Sequence, residues 1–300
     1  MERYSVHLKL LGMAVLWGAS WPMGRMLGQS LPPLTGGAVR FVLASFLLLG
    51  WLFARSRFAT FAALSARQWL GLTVAASVGV CGYAVFFMLG LQAMPAGKAA
   101  VVVAVNPVLT LLLAAWLFGE RLNAKILAGM LLAVGGAIMV VTQGQPLAVL
   151  SGGIKVGEWL IFGCVVCWAA YTLIGRAVLR GIDALTVTAA TSFIGALMLS
   201  VVALWTDGLP FEAMAAMDAR GWTALAWLVI GATVLAYAWY FEGVKILGAG
   251  SAAAYITLVP IFGMLSSAWV LGEPLHISLV AGCAAAVGGM TLMRYGQKVV

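Results

Sequence analysis

The sequence predicts an all-α integral membrane protein in which ten transmembrane helices form two inverted five-helix repeats. Composition, the length of the apolar segments and a pattern that occurs twice lead to this fold class. Of the 300 residues, 64% are hydrophobic and only 9% are charged, whereas soluble globular proteins carry roughly 25% charged residues. The chain is therefore expected to lie within a lipid bilayer.

The apolar segments have the length of membrane-spanning helices. A helix needs about 20 residues to cross a hydrocarbon core of about 30 Å, and the strands of an outer-membrane barrel are about half as long. Because the connections are short, the function must reside in the helices and their ends, and we interpret the first segment as an uncleaved span. We predict ten spans, at roughly 8–28, 34–54, 68–90, 95–117, 124–142, 156–178, 185–206, 220–242, 248–271 and 276–295.

A pattern in the fourth predicted span recurs in the ninth, 153 positions later. NPVLTLLLAAWLFGE (106–120) and VPIFGMLSSAWVLGE (259–273) share Pro, Leu, Ala-Trp and Gly-Glu at the same spacing. The first and sixth spans also match, through LWGASWPMGRML (16–27) and CWAAYTLIGRAV (167–178). We therefore predict two repeats, residues 1–147 and 148–300. Because each repeat has five spans, an odd number, the second must be inverted in the membrane relative to the first.

The distribution of basic residues predicts the orientation. With a cytoplasmic amino terminus, twelve of the seventeen basic residues lie on the cytoplasmic side: Arg3, Lys9, Arg55, Arg57, Arg67, Arg121, Lys125, Arg176, Arg180, Lys245, Arg294 and Lys298. This positive-inside asymmetry places both termini in the cytoplasm. The net charge of +8 does not indicate a nucleic-acid partner, because no basic patch is interleaved with exposed aromatic residues.

Together these motifs resemble the drug/metabolite transporter superfamily, in its ten-helix branch with two EamA-type repeats. The resemblance covers nearly the whole chain and rests on the Trp-Gly of the first span, the two repeated prolines and the two Gly-Glu pairs. It implies an alternating-access carrier, usually an exporter of amino acids or related metabolites across the bacterial inner membrane, with a cavity between the two halves. The many aromatic residues make the chain most similar to the aromatic and neutral amino acid exporters of that branch.

Ring and hydroxyl side chains from both halves are the candidates for substrate binding. Several lie three residues apart and so share a helix face, and aromatic rings there can stack on a neutral solute or contact an ammonium group. The same residue types also serve in ordinary packing and at membrane interfaces. The candidates are Trp17, Ser20, Tyr83, Trp168, Tyr171, Tyr237, Tyr240 and Tyr255.

Two prolines within predicted spans are candidates for hinges. Pro107 has no N–H for the carbonyl of Val103, and Pro260 has none for the carbonyl of Ile256, so each helix should kink near mid-membrane. A freed carbonyl there can bind substrate or act in gating, although prolines are also tolerated in spans for shape alone. Asn106 lies beside the first kink, where its amide can contact substrate or bond to another helix.

Ionisable residues within the bilayer are costly and therefore informative. Arg40 lies about two turns into the second span and Lys98 begins the fourth. Each could hold a substrate carboxylate, or extend its charged end to a membrane interface. Glu242 and Lys245 are three residues apart, which favours a local ion pair.

Acidic residues are confined to the ends of the predicted spans. Glu120 and Glu273 each follow a glycine just before the next helix, where we expect them to place negative charge on a helix amino terminus and to satisfy loop amides. No Asp or Glu lies clearly at mid-span. Because proton-driven carriers usually need such a carboxylate, we expect facilitated or exchange transport.

Other functional classes lack the residues that they require. Cys164 and Cys167 have CxxC spacing without a second pair, so no metal site is expected, and no stretch has the spacing of a phosphate-binding loop. We find no paired carboxylates or Ser/His arrangement for an intramembrane enzyme, and we expect no cofactor. Export of cationic or aromatic drugs, a lipid scramblase and a purely structural bundle remain as alternatives. One chain carries both halves of the predicted small-molecule site and could work as a monomer.

Overall fold

The structure is a computed structural model that describes residues 2–55, 61, 63–119, 122–145, 154–178, 181–247, 252 and 254–297. Throughout this part of the chain the regular secondary structure is helical, with no strand. The predicted all-α class is therefore confirmed. Glu120 and the start of the predicted ninth span, 248–251, lie outside the described residues.

The helices follow the predicted apolar segments closely. Eight of the described helices are long and apolar enough to cross a membrane, and Tyr255–Leu271 is a shorter apolar helix. The chain is thus a multi-pass membrane protein, and the count of ten spans stays a prediction. The helices are α1 (Glu2–Gly18), α2 (Ser20–Ser30), α3 (Pro33–Ala54), α4 (Ala66–Ala93), α5 (Ala96–Phe118), α6 (Ala124–Val141), α7 (Val156–Val178), α8 (Ala184–Thr206), α9 (Phe211–Ala215), α10 (Ala219–Leu247), α11 (Tyr255–Leu271) and α12 (Ile277–Gln297).

The first predicted span is not one continuous helix. It is divided at Ala19 into α1 and α2, of 17 and 11 residues. Pro22 explains the break, because it has no N–H to donate to the carbonyl of Gly18 four residues earlier. At this point α1 lies against the backbone of α11, since a Cβ atom on Gly18 would lie 2.9 Å from the amide nitrogen of Gly263.

Two other long helices change to π-helical geometry within the bundle. The π segment of α4 covers Ser77–Gly82 and that of α10 covers Trp227–Leu235. The segments end at Gly82 and Leu235, which are 153 positions apart, the same interval that separates the repeated sequence motifs. π segments rearrange the regular backbone hydrogen bonds and occur often at functional sites.

The helices that contain the repeated prolines also share one irregularity. α5 has a 3₁₀ segment at Val103–Val105 and α11 has one at Tyr255–Leu258, each directly before the proline-containing α-helical part. Both helices end at a glycine in the left-handed conformation, Gly119 with φ 67° and Gly272 with φ 66°. The two repeated motifs therefore share irregular helix geometry as well as sequence.

The repeated Ala-Trp motif faces away from the bundle. Trp116 is 80% exposed and Trp269 is 88% exposed, although they are equivalent positions of the two repeated motifs. In a membrane protein these side chains contact lipid or the membrane interface. Repetition of this tryptophan therefore marks an outer surface and not a binding site.

The most extensive helix contacts all join the first part of the chain (2–145) to the second (154–297). They include α6 with α12, α3 with α8, α4 with α7 and α1 with α10, and α5 with α11 is a further contact of this kind. The sequence repeat relates α4 to α10 and α7 to α1, so the α4–α7 and α10–α1 contacts are equivalent. Each of the other three pairs joins two helices that the repeat relates to each other. The two parts are therefore interleaved and not packed side by side as separate bodies.

Glycines allow α6 and α12 to approach within backbone contact. A Cβ atom on Gly136 would lie 2.5 Å from the carbonyl oxygen of Gly282, and one on Gly289 would lie 2.5 Å from the amide nitrogen of Ala133. Small residues at such crossings let membrane helices gain close van der Waals packing. The α6–α12 pair is thus the most tightly joined part of the bundle.

Alanine at either of these glycines should destabilise the protein. Overpacking against a backbone costs about 1–3 kcal/mol, so Gly136→Ala and Gly289→Ala should lower the thermal unfolding midpoint of the detergent-purified protein. Gly135→Ala is the matched control, because its new Cβ would meet nothing within 4 Å, and alanine is the better helix former. Equal midpoints for Gly136→Ala and Gly135→Ala would contradict the close contact.

Candidate functional site

Trp17 of α1 lies among aromatic residues of α10. Its indole N–H donates to the carbonyl oxygen of Ala232 at 2.9 Å, within the π segment. Its ring lies 5.4 Å from that of Tyr237 and 5.6 Å from that of Tyr240, between centroids. The structure therefore brings three predicted site residues into one group, and the π segment supplies the carbonyl that orients the tryptophan.

Tyr83 of α4 belongs to a second aromatic group. Its ring lies 6.0 Å from the rings of Phe87 and Trp168, and Trp168 is also 6.0 Å from Tyr171. Tyr171 lies against the π segment of α4, because a Cβ atom on Gly79 would clash with its ring. The second group thus joins α4 to α7 as the first joins α10 to α1.

Arg40 of α3 lies between the two aromatic groups. Its guanidinium carbon is 5.0 Å from the centroid of Phe41 and 5.9 Å from that of Phe87. Tyr83 and Tyr237, one from each group, lie nearby. Within the described residues Arg40 forms no ion pair, and its Nε atom is buried without a hydrogen-bond partner.

Asn106 presents the second unpartnered atom of the bundle. Over the part of the chain that the structure describes, only Arg40 Nε and Asn106 Oδ1 are buried side-chain nitrogen or oxygen atoms without a partner. Asn106 begins the α-helical part of α5 directly before Pro107. An unsatisfied buried polar atom costs about 1–3 kcal/mol, so each such atom needs a physical explanation. Both atoms belong to predicted site residues.

Ser20 and Tyr255 have partners of their own. The Ser20 hydroxyl donates to the carbonyl of Leu16 at 2.9 Å, one turn earlier. The Tyr255 hydroxyl lies 2.6 Å from Nδ1 of His7, outside the two aromatic groups. Each hydroxyl thus has a partner within the protein, and the role of both residues in substrate binding stays a prediction.

Lys98 is paired, in contrast to Arg40. Its Nζ atom donates to Oε1 of Glu158 at 2.6 Å, and the two side chains are only 16% and 7% exposed. The other oxygen of Glu158 accepts the backbone N–H of Lys155 at 3.0 Å. The charge of Lys98 is therefore already neutralised by a residue of α7.

The expected local pair of Glu242 and Lys245 does not form. Both oxygens of Glu242 accept hydrogen bonds from Nζ of Lys9, at 2.7 and 2.9 Å. The two side chains are 35% and 38% exposed. The correction follows from the packing of α1 against α10, which brings a remote cation closer than the one along the same helix.

A cavity of about 590 Å³ opens where α2 ends and where α5 and α10 begin. Charged residues of both signs line it, together with polar and apolar side chains of α2 and α11. The lining residues are Arg25, Met26, Gln29, Ser30, Pro95, Asp218, Arg220, Val270, Leu271 and Glu273.

Glu273 joins three segments at the edge of this cavity. Its carboxylate accepts the N–H groups of Ala96 at 2.8 Å and Gly97 at 2.9 Å. Nη1 of Arg25 donates to Glu273 at 3.1 Å and to the carbonyl of Met94 at 3.0 Å. We call these five residues the Glu273 cluster. The carboxylate does satisfy a helix amino terminus, but that of α5 and not that of α12, the next helix along the chain.

Sequence reasoning missed Glu158, Arg25 and Pro22. Glu158 lies in the first turn of α7, where a solvent-facing helix end is the ordinary interpretation. Arg25 belongs to the Gly-Arg pair that the first and sixth spans share, and this repetition was the available signal. Within the described residues, no group of three His, Cys, Asp or Glu side chains could hold a metal ion.

The chain is similar to known bacterial proteins along its whole length. The sequence profile of the EamA-like transporter family matches residues 5–142 and again residues 155–295. "Uncharacterized transporter YyaM" of Bacillus subtilis (strain 168) is 28% identical, over 97% of this chain and 93% of that protein. A "Probable amino-acid metabolite efflux pump" of Salmonella typhimurium is 27% identical, over 100% of this chain and 97% of that protein. One solved crystal structure has the same fold, with a TM-score of 0.64, 23% identity and 96% of both chains covered.

Removal of Lys98 should destabilise the protein strongly. Lys98→Met leaves the Glu158 carboxylate buried and unpaired, which costs about 3–5 kcal/mol. The unfolding midpoint in detergent should fall, and the double variant with Lys98→Met and Glu158→Gln should regain much of the loss. Lys9→Met is the matched control, because its pair with Glu242 is solvent-exposed and worth about 0–1 kcal/mol. Equal losses from Lys98→Met and Lys9→Met would contradict the buried pair.

Proposed function

The chain belongs to the EamA-like transporter family, whose profile it matches twice, and we propose that it exports aromatic or neutral amino acids, or related small metabolites, across the bacterial inner membrane by alternating access. It is a transporter and not an enzyme. The proposal includes ten spans in two inverted repeats, 1–147 and 148–300, with both termini in the cytoplasm. The substrate is the only partner that it requires besides the lipid bilayer, and a monomer is sufficient.

The observation that carries the proposal is the convergence of aromatic residues from both parts of the chain beside Arg40, whose Nε atom has no partner among the described residues. Trp17 and Tyr83 come from the first part, and Tyr237 and Trp168 from the second. Rings suit a solute with an aromatic or apolar body, and a few placed polar groups set its orientation. The "Probable amino-acid metabolite efflux pump" of Salmonella typhimurium supports amino acids as the substrate class.

The alternatives receive less support from the site. Cationic drugs would favour an unpaired carboxylate inside the bundle, but the buried carboxylate of Glu158 is paired with Lys98. The unpaired charge beside the aromatic groups is the cation Arg40. A structural bundle or a scramblase would leave the two unpartnered polar atoms without an explanation.

We place the hinges of the transport cycle at Pro107 and Pro260. Each follows a 3₁₀ segment, in which hydrogen-bond geometry is poorer than in an α-helix. The segments occupy equivalent positions of the two repeats, so one part could bend as the other straightens. The glycine contact between α6 and α12 would keep that pair fixed during the exchange.

We assign the Glu273 cluster to closure of one end of the pathway. It ties the middle of α2 and the start of α5 to the connection between α11 and α12. Opening this end would require the charge-assisted bonds of Glu273 to break, and such bonds are worth about 1.5–3 kcal/mol each. For coupling we favour facilitated or exchange transport, because the described part of the chain has no unpaired mid-span carboxylate to carry a proton.

Transport should depend on Trp17 and Tyr83. Purified protein reconstituted in liposomes should show saturable efflux and counterflow of aromatic or neutral amino acids, and an imposed pH gradient should leave the rates unchanged. Trp17→Ala and Tyr83→Ala should lower counterflow by at least about tenfold, since loss of a stacking residue and of pocket shape removes binding energy of about 1.4 kcal/mol or more. Trp205→Ala is the matched control, because Trp205 is 90% exposed on α8.

The outcomes separate the candidate functions. Movement of cationic dyes without movement of amino acids would favour the drug exporter. Movement of lipid alone would favour the scramblase. Equal activity of Trp17→Ala and Trp205→Ala would leave amino-acid transport standing and would contradict the assignment of the aromatic groups as the binding site.

Glu273→Gln should loosen the start of α5. The substitution keeps the shape of the side chain but weakens its bonds to Ala96, Gly97 and Arg25. Amide hydrogen exchange of residues 96–102, followed by mass spectrometry, should accelerate roughly tenfold or more, as expected for loss of about 1.5 kcal/mol. Counterflow should slow, because a carrier that closes one end poorly completes fewer cycles. Glu212→Gln on α9 is the control. Equal exchange rates of residues 96–102 in Glu273→Gln and Glu212→Gln would contradict the assigned closure.

A further inference from the structure

We propose that Arg40 binds the carboxylate of the transported molecule, so that the substrate class is aromatic or apolar carboxylates, with amines that lack a carboxylate excluded. The inference rests on the proposed transport function and specifies the charge of the substrate. It follows from the position of Arg40 within α3, from the aromatic rings around it and from the lack of an acidic partner among the described residues.

Arg40 lies deep within α3. The helix begins at Pro33 and ends at Ala54, and with a rise of about 1.5 Å per residue Arg40 is roughly 10 Å from the nearer end. Its Nε atom is buried in the protein, and the residue as a whole is half-buried. A guanidinium at this depth is costly unless an anion accompanies it.

Aromatic rings are the described neighbours of the guanidinium. Phe41 and Phe87 present their rings at 5.0 and 5.9 Å, and Tyr83 and Tyr237 lie nearby. Cation–π contacts with these rings offset only part of the desolvation cost of a buried ion. The protein thus holds a cation that its described residues do not neutralise.

A carboxylate matches the guanidinium of Arg40 better than other groups do. A guanidinium is a planar fork of donors that matches two carboxylate oxygens, and Nε is one of the atoms that form this paired interaction. Phosphate would also match the fork, but the rings around Arg40 favour a ligand whose remaining surface is apolar. A molecule with one carboxylate and an aromatic or aliphatic body satisfies both requirements.

The other cations of the region are already used. Lys98 is paired with Glu158 and Arg25 with Glu273. Beside the aromatic groups, a substrate carboxylate therefore meets Arg40, which forms no ion pair among the described residues. A positively charged solute would meet repulsion from the same guanidinium, and in a water-poor site this repulsion is stronger than in water.

The test compares three probes that share a phenyl group and differ in charge: L-phenylalanine, 3-phenylpropionate and 2-phenylethylamine. Binding to the detergent-purified protein is measured by quenching of tryptophan fluorescence, and transport by counterflow in liposomes. In the wild-type protein the two carboxylates should bind and compete with each other, and the amine should not. The readout of binding does not depend on transport.

Arg40→Gln should raise the half-saturating concentration of both carboxylates by at least about tenfold, because it removes one partner of a buried charge pair. It should also abolish the discrimination against 2-phenylethylamine. Arg40→Lys keeps the charge without the planar fork and should fall between Arg40→Gln and the wild type. Arg67→Gln is the matched control, since Arg67 is exposed at the start of α4, and it should bind all three probes as the wild type does.

The outcomes for Arg40 and for transport are distinguishable. Equal binding of 2-phenylethylamine and 3-phenylpropionate by the wild type, or wild-type carboxylate binding by Arg40→Gln, would overturn the role of Arg40. Carboxylate binding that requires Arg40, without counterflow of any probe, would support the anchor and contradict the proposed transport. If Arg40→Gln does not fold, as judged by its unfolding midpoint, the probe comparison in the wild type and in Arg40→Lys still decides.

Discussion

The hydrocarbon core of a membrane offers no water to a polar group, and the structure depends on this constraint throughout. A backbone N–H or C=O without a partner costs several kcal/mol there, so helix interruptions persist where another side chain takes up the freed group. Trp17 does so for the carbonyl of Ala232, and Glu273 does so for the N–H of Ala96, across 215 and 177 positions of sequence. Irregular points of the helices are therefore also points where the two parts of the chain hold each other.

The interruptions recur at the interval of the sequence repeat, and this gives the bundle matched points of weakness. π segments end at Gly82 and Leu235, and 3₁₀ segments precede Pro107 and Pro260. The α6–α12 pair has no described counterpart of these interruptions and is joined backbone to backbone by glycine. We interpret this contrast as a fixed pair beside helices that can bend, which is the division that an alternating-access carrier needs.

The sequence predicted the helices well because membrane spans are set by length and hydropathy, which are local properties. Contacts between helices were less predictable, because they depend on which face each helix presents. Trp116 and Trp269 form the most visible repeated feature but face outward. Glu242 pairs with Lys9 and not with Lys245, since helix packing brings the remote cation closer. Repetition and spacing thus drew attention to these residues without showing which groups they contact.

The candidate site illustrates the same limit in its chemistry. Arg40 and Lys98 look alike in the sequence, because each is a lone cation in an apolar segment. Spacing alone does not show which of them is the better candidate to bind a substrate carboxylate. The structure separates them, because Lys98 lies 2.6 Å from the carboxylate of Glu158 while Arg40 Nε has no partner within the described residues. A paired charge contributes to the fold and has little capacity left for a ligand. An unpaired one keeps that capacity, and its retention beside Tyr83 and Tyr237 is costly to stability unless a ligand neutralises it.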